Sequence, residues 1–377
     1  MGVALYVIAG EVSGDAHGAG MLRALKDIHP ELEIHGAGGP RMQEVAGPGL
    51  RDWVEEAAVM GLWEVLKRYG WFKQRFAEML AEFIALKPKL LVLIDYPGFN
   101  LRFAKAVREA LPETKIIYYI SPQVWAWNKG RLPKMAQLLD EMLCLFPFEK
   151  PLFEGAGLAT TFVGHPLVDE LEEERIHDED PREDHLVALL PGSREREVAR
   201  LFPMMLEAAK RLNLKRPGIR FESCGASPKL AARMRAMVEH AKMGEAVTVR
   251  DGGAHTLMQR ATCGVVASGT ATLEAAYFGL PYCLVYKVAW PTYLAAKAVV
   301  KLDFIGLVNI LAGGKVVEEF IQSEADPLHV EQSMARFLDD EAYREETRQK
   351  LLATAAKLGE QGAHVRAASA IARWVRK

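Results

Sequence analysis

The residues able to do chemistry gather where apolar runs break into glycine, serine and threonine. Gly264–Ala267 is a short run with two adjacent valines, the pattern of a strand buried on both faces. It breaks at Ser268, Gly269, Thr270, Ala271 and Thr272, then passes into a helix-like segment, Leu273–Phe278, closed by Gly279 and Pro281. Serine or threonine at a helix start can accept hydrogen bonds from first-turn amides, and small residues let a ligand approach the backbone. Free N–H groups and the dipole there favour an anion, most simply a phosphate. Glu274, one turn further on, is placed to accept hydrogen bonds from sugar hydroxyls. The stretch reads as a nucleotide site, and equally as an ordinary capped helix after a strand.

A second turn follows the same logic. Leu186–Leu190 is strand-like and ends in Pro191, Gly192, Ser193 and Arg194 before a helix over Glu195–Leu212. Gly192 and Ser193 offer backbone donors, while the Arg194 guanidinium can fork across phosphate oxygens. A diphosphate held by both turns would need no metal. The bland alternative is a surface arginine after a tight turn.

Asp95 ends the buried run Leu90–Ile94, before Tyr96-Pro97-Gly98-Phe99-Asn100. A carboxylate at a strand's carboxyl end can act as general base on a hydroxyl, the more so if burial raises its pKa. It can equally organise the turn. Glu11, Ser13, Asp15 and His17 follow the first strand, Val3–Ala9, on a glycine-rich backbone open to ligands (Gly10, Gly14, Gly18). His17 fits an acid, a base, a phosphate contact or a structural histidine.

The positioning elements alternate strand, loop and helix along the chain, which implies parallel strands covered by helices on both faces. The alternation runs once to about residue 168 and restarts at 186. Between them lies a charged segment, 169–185, expected to be a linker. Its Asp178-x-Asp180 resembles a metal pair, but sits in a solvated charge run without a preceding strand, so no metal is expected. The chain therefore divides into an α/β domain over 1–168, a second over 186–340, and C-terminal helices over 341–377. Two such doubly wound units would face each other across a cleft, with ligands outside the carboxyl ends of the strands. The pattern of the C-terminal helices fits a return onto the first domain and equally an exchange with a second subunit.

At 377 residues with 50% hydrophobic residues and a formal charge of −2, the chain reads as a soluble two-domain protein without the basic excess of a nucleic-acid binder. Its four cysteines lie in apolar runs without metal-ligand spacing, as in a reducing compartment. No Gly-x-Gly-x-x-Gly follows the first strand, which argues against a dinucleotide-dependent oxidoreductase. Over Met60–Ile84 a helical stripe includes Leu62, Val65, Leu66, Tyr69 and Phe72, with Trp63 and Trp71 outside it and Lys67, Arg68, Lys73 and Arg75 alongside. A basic amphipathic helix of this kind suits a membrane interface, or a core-facing position.

Several of these pieces also resemble, in order, the motifs of the lipid-A-disaccharide synthase family. They are Ala9–Ala19, Ile94–Asn100, Ser121–Trp127, Phe162–Pro166, Leu190–Arg194, Ser268–Glu274 and Asn309–Gly313, and they cover almost the whole chain. The Ser-Gly-Thr element is shared by many sugar-nucleotide enzymes, whereas Gly10–Asp15 and Gln123–Trp127 are more restrictive. Val12 and Ile310 are mild departures that touch nothing catalytic. The resemblance implies a GT-B fold without a cofactor. It implies inverting transfer of 2,3-diacylglucosamine from its UDP conjugate to 2,3-diacylglucosamine 1-phosphate, at the cytoplasmic face of a Gram-negative inner membrane. On that reading Asp95 is the base, while Gly192–Arg194, Ser268–Thr272, Glu274 and Asn309 lie on the UDP side. Glu11, Ser13, Gly14, Asp15, His17, Asn100, Gln123 and Trp125 lie on the acceptor side, and Leu62, Trp63, Val65, Leu66, Tyr69, Trp71 and Phe72 face the membrane. A homodimer is compatible with it. The rivals are an isomerase like UDP-N-acetylglucosamine 2-epimerase, which needs no acceptor, and a non-catalytic lipid or nucleotide carrier, which tolerates loss of Asp95.

Overall fold

Apolar runs rich in Val, Ile and Leu become the strands of two sheets in which every described pairing is parallel. The computed structural model describes residues 4–57, 68–177, 182–300 and 302–375. It divides into two units, Met1–Pro166 with Gly359–Lys377, and Leu167–Leu358.

The first unit runs β1 (Ala4–Ala9), α1 (Val12–Ile28), β2 (Glu33–Gly38), α2 (Pro40–Ala46), β3 (Leu50–Asp52), α3 (Tyr69–Leu86) and β4 (Leu90–Ile94). It continues through α4 (Pro97–Ala110), β5 (Lys115–Tyr119), β6 (Glu141–Cys144) and β7 (Thr160–Phe162). The sheet order is β3-β2-β1-β4-β5-β6-β7, so the winding direction reverses between β1 and β4. Strands β1 and β4 are almost wholly buried because helices cover both faces. Aromatic rings fill one side: Tyr6 lies edge-on to Phe83 at 5.1 Å and stacks on Phe103 at 6.2 Å between ring centres.

The second unit opens with α5 (Leu167–Glu173), β8 (Glu183–Leu190), α6 (Glu195–Lys215), β9 (Arg220–Gly225), β10 (Val247–Asp251) and α7 (Ala254–Arg260). It then adds β11 (Ala261–Ala267), α8 (Ala271–Tyr277), β12 (Tyr282–Tyr286), α9 (Trp290–Val299), α10 (Leu307–Ala312), β13 (Glu319–Ile321) and α11 (Glu341–Ala355). Its order is β10-β9-β8-β11-β12-β13, with the reversal between β8 and β11. The last helix, α12 (Ala363–Val375), returns to the first unit and packs on α1. Ala367, Ala368 and Ile371 are fully buried, and the two alanines let the helix lie close.

The expected boundaries shift in two places. The charged segment 169–185 is not a plain linker: Leu167, Val168 and Leu171 bury one face of α5, leaving its carboxylates outward, and β8 already begins at Glu183. Asp178 and Asp180 lie outside the described residues. The C-terminal helices separate, α11 with the second unit and α12 with the first.

Candidate functional site

Each unit places its chemistry where the strand order reverses, the place where open parallel sheets leave a crevice at the strands' carboxyl ends. In the first, Glu11 follows β1 and Asp95 follows β4. Asp95 and Tyr96 both have left-handed backbone, with φ of 44° and 48°. Such conformations cost non-glycine residues roughly 1–3 kcal/mol each and persist only where neighbours enforce them. The Asp95 N–H donates to the Tyr119 carbonyl at 3.0 Å, while buried Asn100 donates from Nδ2 to the carbonyls of Ile94 (3.1 Å) and Asp95 (2.7 Å). The Tyr118 hydroxyl donates to the Asp95 carbonyl as well. Gly10 is required by close approach: a Cβ there would lie 2.3 Å from the Tyr96 ring. Burial, reinforced by the nearby Glu11 carboxylate, pushes the Asp95 carboxyl up to about 6, against a lowering contribution from the Tyr96 amide. Asp95 is therefore ionised at neutral pH yet far more basic than an exposed aspartate.

The acceptor-side set divides. Glu11 and Ser13 are exposed and Gly14 packs against β1 and β4. Asn100 acts through the Asp95 backbone. Asp15 is buried and accepts from the N–H groups of Gly39 (2.9 Å), Arg41 (3.1 Å) and Met42 (2.9 Å), tying the start of α2 to α1. Trp125 is buried and donates from Nε1 to Glu149 at 3.0 Å, while Gln123 is exposed beside it. His17 belongs to a histidine group that motif spacing did not show. Its ring lies 5.8 Å from that of His364, on α12, and burial with His364 beside it lowers its pKa to about 4. His165 is lowered to about 4 by burial, with His17 adding to the effect. His364 comes from the far end of the chain, so only the docking of α12 reveals it.

In the second unit, Pro191–Arg194 follows β8 and Ser268–Thr270 follows β11. Gly192 has a φ of 103°, and a Cβ there would lie 2.4 Å from a Glu197 carboxylate oxygen. Glu197 also accepts from the Arg194 N–H (3.2 Å) and guanidinium (2.9 Å). The Arg194 side chain is 68% exposed, so this ion pair leaves it within reach of a ligand. The serine and threonine residues do not cap α8 as expected. Thr272 donates its hydroxyl to the Gly269 carbonyl at 2.7 Å instead, and the side chain of the N-cap residue, Thr270, accepts no first-turn N–H. Ala271 begins α8, and Ser268 donates its N–H to Val285 at 3.0 Å. Glu274 meets His255 Nε2 at 3.2 Å, and His255 Nδ1 meets Glu174 at 2.9 Å. The Glu274 hydrogen bond holds the His255 pKa above its ordinary value despite burial. His255 stands alone in the sequence, without motif spacing to single it out.

Asn309 is held by the backbone around it. Fully buried, it donates to the Val317 carbonyl and a Glu319 oxygen, both at 2.9 Å, and accepts from the N–H groups of Val316 (2.8 Å) and Val317 (3.0 Å). Its amide fixes the segment after α10 and has no capacity left for a ligand. Of the membrane-facing set, Leu62, Trp63, Val65 and Leu66 lie outside the described residues. Tyr69 is 59% exposed, whereas Trp71 stacks on Trp53 at 6.0 Å and Phe72 is half-buried beside it. Among the described residues no helix is long and apolar enough to cross a membrane, and no group of three or more metal-ligating side chains forms.

Two doubly wound units with their reversal points so furnished define a GT-B fold, the scaffold of nucleotide-sugar glycosyltransferases and epimerases. The UDP-GlcNAc 2-epimerase of Neisseria meningitidis bound to UDP-GlcNAc superposes with a TM-score of 0.57 at 10% identity, covering 99% of each chain. A ugt transferase from Siraitia grosvenorii in complex with UDP gives 0.57 at 13% identity over 99% of this chain and 100% of the other. At such identities the likeness shows the fold alone. Sequence is more specific. Residues 5–373 match the family model for lipid-A-disaccharide synthetase. The lipid-A-disaccharide synthase of Geobacter sulfurreducens is 40% identical over 97% of this chain and 96% of its own, and lipid-A-disaccharide synthase 1 of Legionella pneumophila strain Philadelphia 1 is 38% identical over 89% and 88%. The chain belongs to the lipid-A-disaccharide synthase family, and is thus a glycosyltransferase that forms a lipid A disaccharide.

Proposed function

We propose that the enzyme transfers 2,3-diacylglucosamine from UDP-2,3-diacylglucosamine to 2,3-diacylglucosamine 1-phosphate, giving the β-1,6-linked disaccharide 1-phosphate and UDP. The observation that carries this reading is the strained, buried Asp95 at the first sheet's reversal point, with its pKa raised to about 6. The acceptor 6-hydroxyl oxygen attacks the donor's C1 as its proton passes to the Asp95 carboxylate. The bond from C1 to the diphosphate oxygen breaks, and its electron pair leaves with UDP. One in-line displacement turns the α-linked donor into a β-linked product. Arg194 moves from Glu197 to the diphosphate, the Ser268–Thr270 turn lends backbone donors, and Glu274 binds the ribose hydroxyls. These groups neutralise the leaving charge without a metal ion.

Both substrates carry acyl chains, so the enzyme works at the cytoplasmic surface of the inner membrane. Exposed Tyr69 with the flanking cations of α3 supports contact with that surface, as do Trp290, Leu294 and Val299, each more than half exposed along α9. The test is UDP release from the donor, with and without acceptor, in detergent and EDTA. Acceptor-dependent release that survives EDTA is expected. Release without acceptor would point to hydrolysis or an epimerase-type elimination and defeat the transferase assignment.

A further inference from the structure

Beside Asp95, between α3 and the first turn of α4, the first unit holds a cavity of about 430 Å³. Phe72, Phe76, Tyr96 and Phe99 form its walls, and Lys73 and Arg102 also line it. Both cations are exposed, and among the described residues neither is paired with a carboxylate. The walls are stiff: Phe76 packs edge-on to Phe99 and Phe103 at 5.4 and 5.5 Å, and Phe99 packs on Trp53 at 5.0 Å. Gly98 also lines the space, and a Cβ added there meets nothing within 4 Å. An apolar, aromatic pocket with unpaired cations selects an amphiphile with an apolar tail and an anionic head. Tyr96, Gly98 and Phe99 continue directly from Asp95, so the occupant is the molecule whose hydroxyl Asp95 deprotonates.

We propose that this cavity binds one acyl chain of the acceptor, with Lys73 and Arg102 drawing the acceptor's phosphate. The proposal rests on the transferase reading above and adds to it a determinant of acyl-chain length. Gly98 is its natural probe, because it lines the cavity at an exposed position on α4 and a Cβ added there meets no neighbour within 4 Å. Each methylene returned to water weakens binding roughly fourfold, so even partial filling of the cavity is measurable.

The experiment uses the full chain and two readouts. Calorimetry with monomeric dodecyl phosphate should show binding that butyl phosphate lacks. That binding should weaken in steps from wild type through Gly98→Ala to Gly98→Leu, by about tenfold or more overall, and fall in a Lys73→Ala/Arg102→Ala variant. Acceptor KM, measured over a series of acyl lengths, should rise most for the longest chains in Gly98→Leu, shifting preference to shorter ones. The same chain-length profile in wild type and Gly98→Leu would overturn the site. So would reduced vesicle flotation with no change in that profile, which would assign the face to the bilayer. Absence of UDP release by wild type with every acceptor would defeat the transferase reading instead, and dodecyl phosphate would then still report on the cavity.

Discussion

Asp95 shows how a reactive group is held at a cost in stability. Its folded pKa, about 6 against an ordinary 3.8, means the folded state holds this proton more tightly than the unfolded chain. Its favourable contribution is therefore complete below pH 3.8 and lost as pH rises through 6, leaving an ionised group that costs about 1–3 kcal/mol at neutral pH. Asp95→Asn should raise the Tm while abolishing most turnover and sparing UDP binding. Near-normal turnover would remove Asp95 from the mechanism. In wild type, kcat/KM should fall below about pH 6 as the base is protonated, and a flat profile down to pH 5 would contradict this assignment. His17 and His165 have the opposite sign. With folded pKa values of about 4 against 6.5, their contribution is present above pH 6.5 and lost as pH falls towards 4. His17→Asn should remove about one proton from the pH dependence of unfolding in that window, read from urea titrations. Arg194→Ala should weaken UDP by about 1.5–3 kcal/mol, the scale of charged hydrogen bonds; unchanged affinity would exclude the phosphate contact.

At the scale of elements, the strand-to-helix turns carry the candidate site, and the roles of their residues are separable. Asp15 serves α2, because three backbone donors converge on its carboxylate. Asp15→Ala should destabilise the first unit by about 1–3 kcal/mol, the cost of orphaning such donors, and leave UDP affinity unaltered. A large change in acceptor KM with no change in stability would instead show it to be an acceptor ligand. Motif spacing could not separate Asp15 from Asp95. Both sit near a strand end, and only the tertiary partners of each show that one is saturated and the other not. Asn309 and Trp125 were illegible for the same reason: a polar side chain in a motif looks alike whether its hydrogen bonds go to a ligand or to the backbone.

For the molecule as a whole, α12 joins the two ends of the sequence. It buries Ala367, Ala368 and Ile371 against the first unit and sets His364 beside His17. Ending the chain at Leu358 should uncover α1 and unfold the first unit at lower temperature while the second retains UDP binding. A single unaltered transition would show that α12 adds nothing to the first unit. The lipid-facing reading belongs to this scale too. Replacing Trp63, Leu66, Trp290 and Leu294 by serine should move the protein from floating vesicles to the supernatant, and unaltered flotation would place the membrane face elsewhere.

Read alone, the chain already specifies its two parallel sheets and the turns that bear Asp95, Arg194 and Ser268–Thr270, while the family shows in its motifs. The sheets and turns follow from local chemistry: β-branched runs buried on both faces, and small residues where the backbone must be approached. Tertiary structure alone decided the strain at Asp95 and Tyr96, the pairing of Glu274 with His255, and which unit each C-terminal helix joins. Each depends on groups distant in sequence, and the hydrogen-bond capacity or burial of a side chain is settled only when those groups are brought against it.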